Sequence, residues 1–462
     1  MKYISTRGKA EALDFKGVTL TGLARDGGLY VPETVPSFTA DSIRAMRGLP
    51  YAEIAYTVIK PFVGTCVDDA DLKKILNDTY DAKFRHDTVA PLIQMDSDDW
   101  LLELFQGPTL AFKDFALQLL GRFFDYFTKD SDKKITILGA TSGDTGSAAI
   151  EGCRGRDNVR IFMLHPKGRV SDVQRRQMTT VNEENVTNIA IDGTFDDCQA
   201  LVKACFNDLE FRDDVNLTAV NSINWARVMA QIVYYFTAAV SLGAPDRKIS
   251  FSVPTGNFGD IFAGYIAQKM GLPIDRLVIA TNSNDILVRA LKTGKYEQTG
   301  VHATLSPSMD IQISSNYERL IFDLVGRNSD KVVQYMNDLQ VSGGFTLSSD
   351  ELAKFQSVFD AHKVNDHSIL ETIKAVYKAN GYILDPHTAI GIKAAKECRS
   401  KAAVPSVTLA TAHPAKFNVA CEEAIGISPS LPAHMSDLFD RKEHYISLEN
   451  DKALLQRLIK VA

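Results

Sequence analysis

The sequence predicts an α/β protein: two units built on parallel or mixed sheets, preceded by a mainly helical N-terminal unit. Three observations carry that reading. From Trp100 onward, apolar runs of strand length alternate with amphipathic runs of helix length, the pattern of a parallel sheet with crossover helices. Two glycine-rich loops, GATSGDTGSAA (Gly139 to Ala149) and PTGNFGD (Pro254 to Asp260), each lie between a strand-like run and a helix-like one. Before Val89, apolar residues recur at the three-to-four spacing of a helix.

Taken in order, residues 1–92 form the mainly helical unit. YAEIAYTVIKPFVG and DADLKKILNDTYDAKF carry the helical spacing, and DGGLYVP inserts a glycine turn followed by a short strand. WLLELFQG is a strand closed by glycine. FKDFALQLLGRFFDYFTK is a helix with Phe112, Phe115, Leu119, Phe123 and Tyr126 along one face, which sets Lys113 at the junction of loop and helix. KKITILGA and VRIFMLHP are strands flanking the helix TGSAAIEGCRG, and NVTNIAI, KISFSV, RLVIAT and SVTLAT are further strands. The runs FDDCQALVKACFND, INWARVMAQIVYYFTAAVSLG, DIFAGYIAQKMG and DPHTAIGIKAAKECRS are the helices between them. The expected division assigns 131–239 to a small α/β domain and 93–130 with 240–462 to a larger one. Residues 329–382, helical and charged, are expected to be an insertion or outer layer rather than sheet.

Composition removes several classes of function. With 51 Lys and Arg against 57 Asp and Glu, the net charge of -6 gives no broad attraction for a polyanion, so nucleic acid is not an expected partner. The six cysteines are scattered, without CxxC pairs or zinc-ligand spacing, as in a reduced cytoplasmic protein. No metal site is expected. The N-terminus lacks the apolar core of a secretion signal, and no apolar run is long enough to span a membrane. No feature of the sequence sets an oligomeric state.

The candidate chemistry lies in three stretches. In PTGNFGD a strand stops at Pro254, glycines let the backbone turn, and a helix begins with unpaired N–H groups, which makes a phosphate cup. A plain strand-to-helix turn fits the same residues. In GATSGDTGSAA, small hydroxyl residues around turning glycines suit a carboxylate; a capped helix start fits as well. Lys113 sits among Leu110, Ala111, Phe112 and Phe115. Most lysines are solvated, yet a desolvated ammonium has a lowered pKa and becomes a usable nucleophile. A Schiff-base lysine, a cup for a cofactor phosphate and a cup for a substrate carboxylate together are what pyridoxal 5'-phosphate (PLP) enzymes acting on amino acids require.

DGGLYVP, TLAFKDFA, ATSGDTGSAA, NSINWARVMAQIVYYF, PTGNFGD and LATAHPAKF run nearly from end to end of the chain, and in them the sequence resembles the threonine synthases. These are PLP enzymes of fold type II, the tryptophan synthase β-subunit kind. The resemblance implies that Lys113 binds the cofactor aldehyde and later carries protons. It implies that Gly256, Asn257, Phe258 and Gly259 hold the cofactor phosphate and that Thr411 bonds the pyridine nitrogen. Thr141, Ser142, Gly143, Asp144 and Thr145 would hold the substrate carboxylate or the cofactor's 3'-oxygen, with Asp144 standing where many fold-type-II relatives have an asparagine.

The reaction so implied converts O-phospho-L-homoserine and water to L-threonine and phosphate, by γ-elimination followed by β-hydration. It needs a basic subsite for the substrate phosphate, with Arg154, Arg156, Lys167 and Arg227 as candidates. His413 is a candidate acid-base group or a structural histidine beside Pro414. Three alternatives remain: a phospho-lyase releasing 2-oxobutyrate from the same substrate, a hydroxy-amino-acid dehydratase, and a non-catalytic amino-acid or nucleotide sensor.

Overall fold

The computed structural model describes residues 1–80, 83–131, 134–141, 143–399 and 403–461. Two sheets organise it. The larger has six strands, edge to edge Phe359–Lys363, Ile274–Thr281, Ile249–Pro254, Ser406–Ala410, Asp99–Glu103 and Leu92–Gln94. All neighbours pair in parallel except the edge strand Leu92–Gln94, which is antiparallel to Asp99–Glu103. The smaller sheet is wholly parallel, in the order Ile446–Leu448, Val186–Ile191, Val159–Pro166, Ile135–Ala140 and Leu217–Thr218. Runs such as IFML within Val159–Pro166 and LVIA within Ile274–Thr281 are apolar without alternation because parallel strands are covered on both faces.

The helix Trp225–Ser241 is the core of the molecule. Every residue but Thr237 and Ser241 is buried, as its nearly all-round apolar sequence requires. It packs against the helices Tyr51–Val63, Lys113–Thr128 and Gly259–Lys269. The N-terminal unit consists of the helices Phe15–Thr21, Ala40–Arg44, Tyr51–Val63 and Asp69–Tyr80 with an antiparallel ribbon, Tyr3–Ser5 on Tyr30–Pro32. It is fastened to the helix Tyr317–Leu324, where Glu318 accepts from Arg7 Nη2 at 2.9 Å and Thr6 Oγ1 at 2.6 Å.

Two elements lie outside the expected plan. Within 329–382 lie the helices Ser329–Ser342, Ser349–Val358 and Asp366–Asn380, but Phe359–Lys363 pairs in parallel with Ile274–Thr281 and is an edge strand of the large sheet. An edge strand is covered on fewer sides, so FDAHK needs no apolar run. Residues 446–461 fall in the stretch assigned to the larger unit. Instead, Ile446–Leu448 extends the small sheet, and Leu455 and Ile459 of the following helix are buried with Leu138, Phe162 and Leu164. Among the described residues, no helix is long and apolar enough to cross a membrane.

Candidate active site

The site begins with a close helix crossing. The helices Lys113–Thr128 and Asp144–Cys153 meet backbone to backbone, so that a Cβ on Gly121 would stand 2.0 Å from the Gly152 carbonyl oxygen. Only glycine allows that approach. It brings the N-terminal ends of both helices together, and with them Lys113 and Asp144.

Lys113 is the first residue of its helix, with a side chain 12% exposed, and its Nζ lies 3.3 Å from Asp144 Oδ2. Burial lowers the pKa of its ammonium; Asp144 opposes the shift, while the positive charges of Lys416 and Arg227 add to it. Asp144 is more heavily bonded. Lys416 Nζ reaches Oδ1 at 2.7 Å, Gln174 Nε2 donates to Oδ1 at 2.8 Å, and Ser308 Oγ lies 3.5 Å from Oδ2. Burial works against the carboxylate charge, but Lys416 and Lys113 overcome it and hold Asp144 far below the usual carboxylate range.

The GATSGDTGSAA loop supplies Asp144 through a turn that needs glycine at 143. Gly143 has φ 153°, and a Cβ there would lie 2.4 Å from the Gln174 amide carbon. Thr141 Oγ1 accepts from the amides of Gly143 and Gly146, both at 2.9 Å. Its hydroxyl therefore holds the turn, while the side chains of Thr141 and Thr145 also line the cleft described below. Ser142 lies outside the described residues.

Opposite stands PTGNFGD. Phe258 precedes the helix Gly259–Lys269 with φ 63°, a left-handed backbone that costs a non-glycine residue about 1 kcal/mol or more. Its ring, 1% exposed between Tyr317 and Phe359, keeps the turn in that form. Asn316 and Ser314 bind the loop carbonyls of Asn257 and Gly256. The helix start is further tied to the core helix, since the hydroxyls of Tyr234 and Tyr235 donate to Asp260 Oδ1. Among the described residues, the amides of Gly256, Asn257 and Phe258 have no protein acceptor.

Lys113, Thr141, Asp144, Thr145, Gly256, Asn257, Phe258, Gly259 and Thr411 all line one cleft of about 870 Å³ between the two sheets. The Thr411 carbonyl accepts from the Phe112 amide at 2.9 Å, which locks the strand end against the segment that carries Lys113. Of the basic candidates, only Arg227 lines the cleft. Arg154 pairs with Glu151 and Glu183, Arg156 with Asp125, and Lys167 with Asp192. Arg227 is 4% exposed, donates to the Val220 carbonyl at 2.9 Å and, among the described residues, has no carboxylate partner. Burial lowers its pKa to about 10, so it stays cationic at neutral pH. His413 is not part of the cleft lining: its Nδ1 accepts from the Ala415 amide, its ring stands edge-on to Phe105, and burial lowers its pKa to about 4.

Sequence reasoning missed Lys416, Gln174 and His387. Lys416 stands inside LATAHPAKF, five residues after Thr411, but nothing in the string marks its side chain as fully buried. His387 lines the cleft with its Nδ1 held 2.8 Å from Asp385 Oδ1 and, among the described residues, no partner on Nε2.

Comparison with known proteins places this geometry. Residues 2–80 match the family description "Threonine synthase N terminus", 89–339 match "Pyridoxal-phosphate dependent enzyme", and 388–459 match "Threonine synthase, C-terminal". A threonine synthase from Pseudomonas aeruginosa is 56% identical over 460 residues, 99% of this chain and 98% of its own. The chain belongs to the threonine synthase family. A PLP-bound threonine synthase from Brucella melitensis superposes with a TM-score of 0.97 at 55% identity, over 100% of this chain and 99% of that one. The threonine synthase from yeast gives 0.94 at 41% identity, over 99% and 98%. Like its family, the protein is a lyase with PLP as cofactor. The cleft fits that group: a buried lysine with a lowered pKa faces it, and the turn before the Gly259–Lys269 helix leaves amides free for a phosphate.

Proposed function

We propose that this cleft converts O-phospho-L-homoserine and water to L-threonine and phosphate. One observation carries the reading: a desolvated lysine, a turn whose amides have no acceptor among the described residues and a buried guanidinium with no acid partner among them converge on a single cavity. The cavity thus offers a reactive amine and two separate places for phosphate, one for the cofactor and one for the substrate.

Lys113 is the reactive amine, and the amides of Gly256, Asn257, Phe258 and Gly259 hold the cofactor phosphate at the helix start. When bound, PLP supplies an electron sink that stabilises negative charge at the substrate carbon losing its proton. Thr411 meets the cofactor ring nitrogen with a neutral hydroxyl. Thr141, Gly143 and Thr145 form the carboxylate side of the substrate site, and Asp144 faces the cofactor side. The amine of Lys113 takes the α-proton and returns protons to carbon, which a lysine with a lowered pKa does near neutral pH. Arg227 holds the substrate phosphate with charge-assisted hydrogen bonds. Over the whole reaction the Cγ–O bond breaks and phosphate departs, Cβ loses one of its two protons and gains the hydroxyl of water, Cγ gains a proton and becomes a methyl group, and the remaining proton of water goes to the phosphate. Six unpaired cysteines support a cytoplasmic location.

Incubation with O-phospho-L-homoserine should yield threonine and inorganic phosphate in equal amounts, and Lys113→Ala should abolish both while leaving the circular dichroism spectrum intact. Release of 2-oxobutyrate as the main product would overturn the assignment.

A further inference from the structure

Asp144 is shared by two lysines, and the sharing is unequal. Lys416 has a fully buried side chain, holds Oδ1 at 2.7 Å and donates to the Thr109 carbonyl at 2.8 Å. Lys113 holds Oδ2 at the longer distance of 3.3 Å and faces the cleft. The charged groups around Lys113 are Asp144 from the facing helix, Lys416 from the 411–417 segment and Arg227 from the core helix, with Asp114 beside it on its own helix. Around Lys416 stand Asp144, Asp114 and His413.

We propose that Lys416 is the positioning residue that frees Lys113 to lose its proton, by standing as the permanent counter-ion of Asp144. This rests on the assignment of Lys113 as the reactive amine. If Lys113 alone neutralised Asp144, deprotonating it would leave a buried carboxylate without a cation, and the pair would keep the proton. With Lys416 and Gln174 on Oδ1, the charge on Asp144 is compensated whatever the state of Lys113. Two ammonium groups on one carboxylate carry one excess positive charge. Lys113, with the longer contact and no second acceptor among the described residues, is the one that gives it up.

The test measures how fast the cofactor-free full-length chain captures added PLP, followed by absorbance across a pH series. The midpoint of that profile reports deprotonation of the capturing amine. Lys416→Met should raise the midpoint by about one unit, so that capture near neutral pH slows about tenfold, whereas Lys416→Arg should leave it near the wild-type value. A second comparison does not depend on how the single methionine variant folds. Asp144→Asn keeps the Lys416 charge, while Asp144→Asn with Lys416→Met removes both charges together, so the midpoint should lie about one unit lower in the former. A wild-type midpoint in Lys416→Met, or equal midpoints in that second pair, would overturn the proposal. Unchanged capture by Lys113→Ala would instead refute the assignment of the amine, a different failure with a different signature.

Discussion

Asp114, directly after Lys113, is fully buried; burial pushes its carboxyl up to about 7, against the amide and hydroxyl of Thr109, which donate at 2.8 and 2.7 Å. The folded chain therefore keeps a proton that the unfolded chain has released, over the window from 3.8 to about 7. Where the folded state binds more protons, stability falls as pH rises, by at most about 1.4 kcal/mol per pH unit for one group. Asp114→Asn carries no such group and can still accept from the Thr109 amide. Its urea midpoint should change less than that of the wild type across the window, and parallel profiles for the two proteins would refute the account. Residues of this kind mark the limit of the sequence. Lys113 and both loops were legible because glycines and apolar neighbours announce a turn and a desolvated amine. Lys416, Gln174 and His387 were not: the first two reach Asp144 through contacts that cross 30 or more residues, and the neighbours of His387 in sequence do not mark it as lining the cleft.

At the scale of elements, the contact of Gly121 with Gly152 decides whether Lys113 and Asp144 can meet. A Cβ on Gly152 would stand 2.4 Å from the Leu117 carbonyl, so Gly152→Ala must push the two helices apart. Such overpacking costs about 1–3 kcal/mol, and the variant should lose that much in denaturant titration along with a larger share of turnover than its stability explains. A variant with wild-type stability and turnover would show that the crossing has slack. Strands with continuous apolar runs, such as Val159–Pro166, could be read to the residue because burial on both faces demands that composition. Phe359–Lys363 escaped the same reading because the edge of a sheet makes no such demand.

The whole molecule is held together by passages of chain that the sequence could not reveal. Ile446–Leu448 is a three-residue strand with two exposed positions, too short to carry a period, yet it closes one edge of the small sheet and leads to Leu455 and Ile459, both fully buried. Leu455→Ala and Ile459→Ala should each destabilise by about 2–5 kcal/mol, the range for a large-to-small change in a core. Hydrogen exchange should show faster opening of Val186–Ile191 and Val159–Pro166 than of Ile249–Pro254, and uniform acceleration across both sheets would contradict a local effect. The late position of that strand also bears on the birth of the protein. As the chain leaves the ribosome, the strand Val186–Ile191 emerges more than 250 residues ahead of its partner and waits with one edge open, because no described strand made in between pairs with it. Throughout translation of the intervening stretch, which includes PTGNFGD and the whole Thr411 to Lys416 segment, that edge is a template on which another chain could pair.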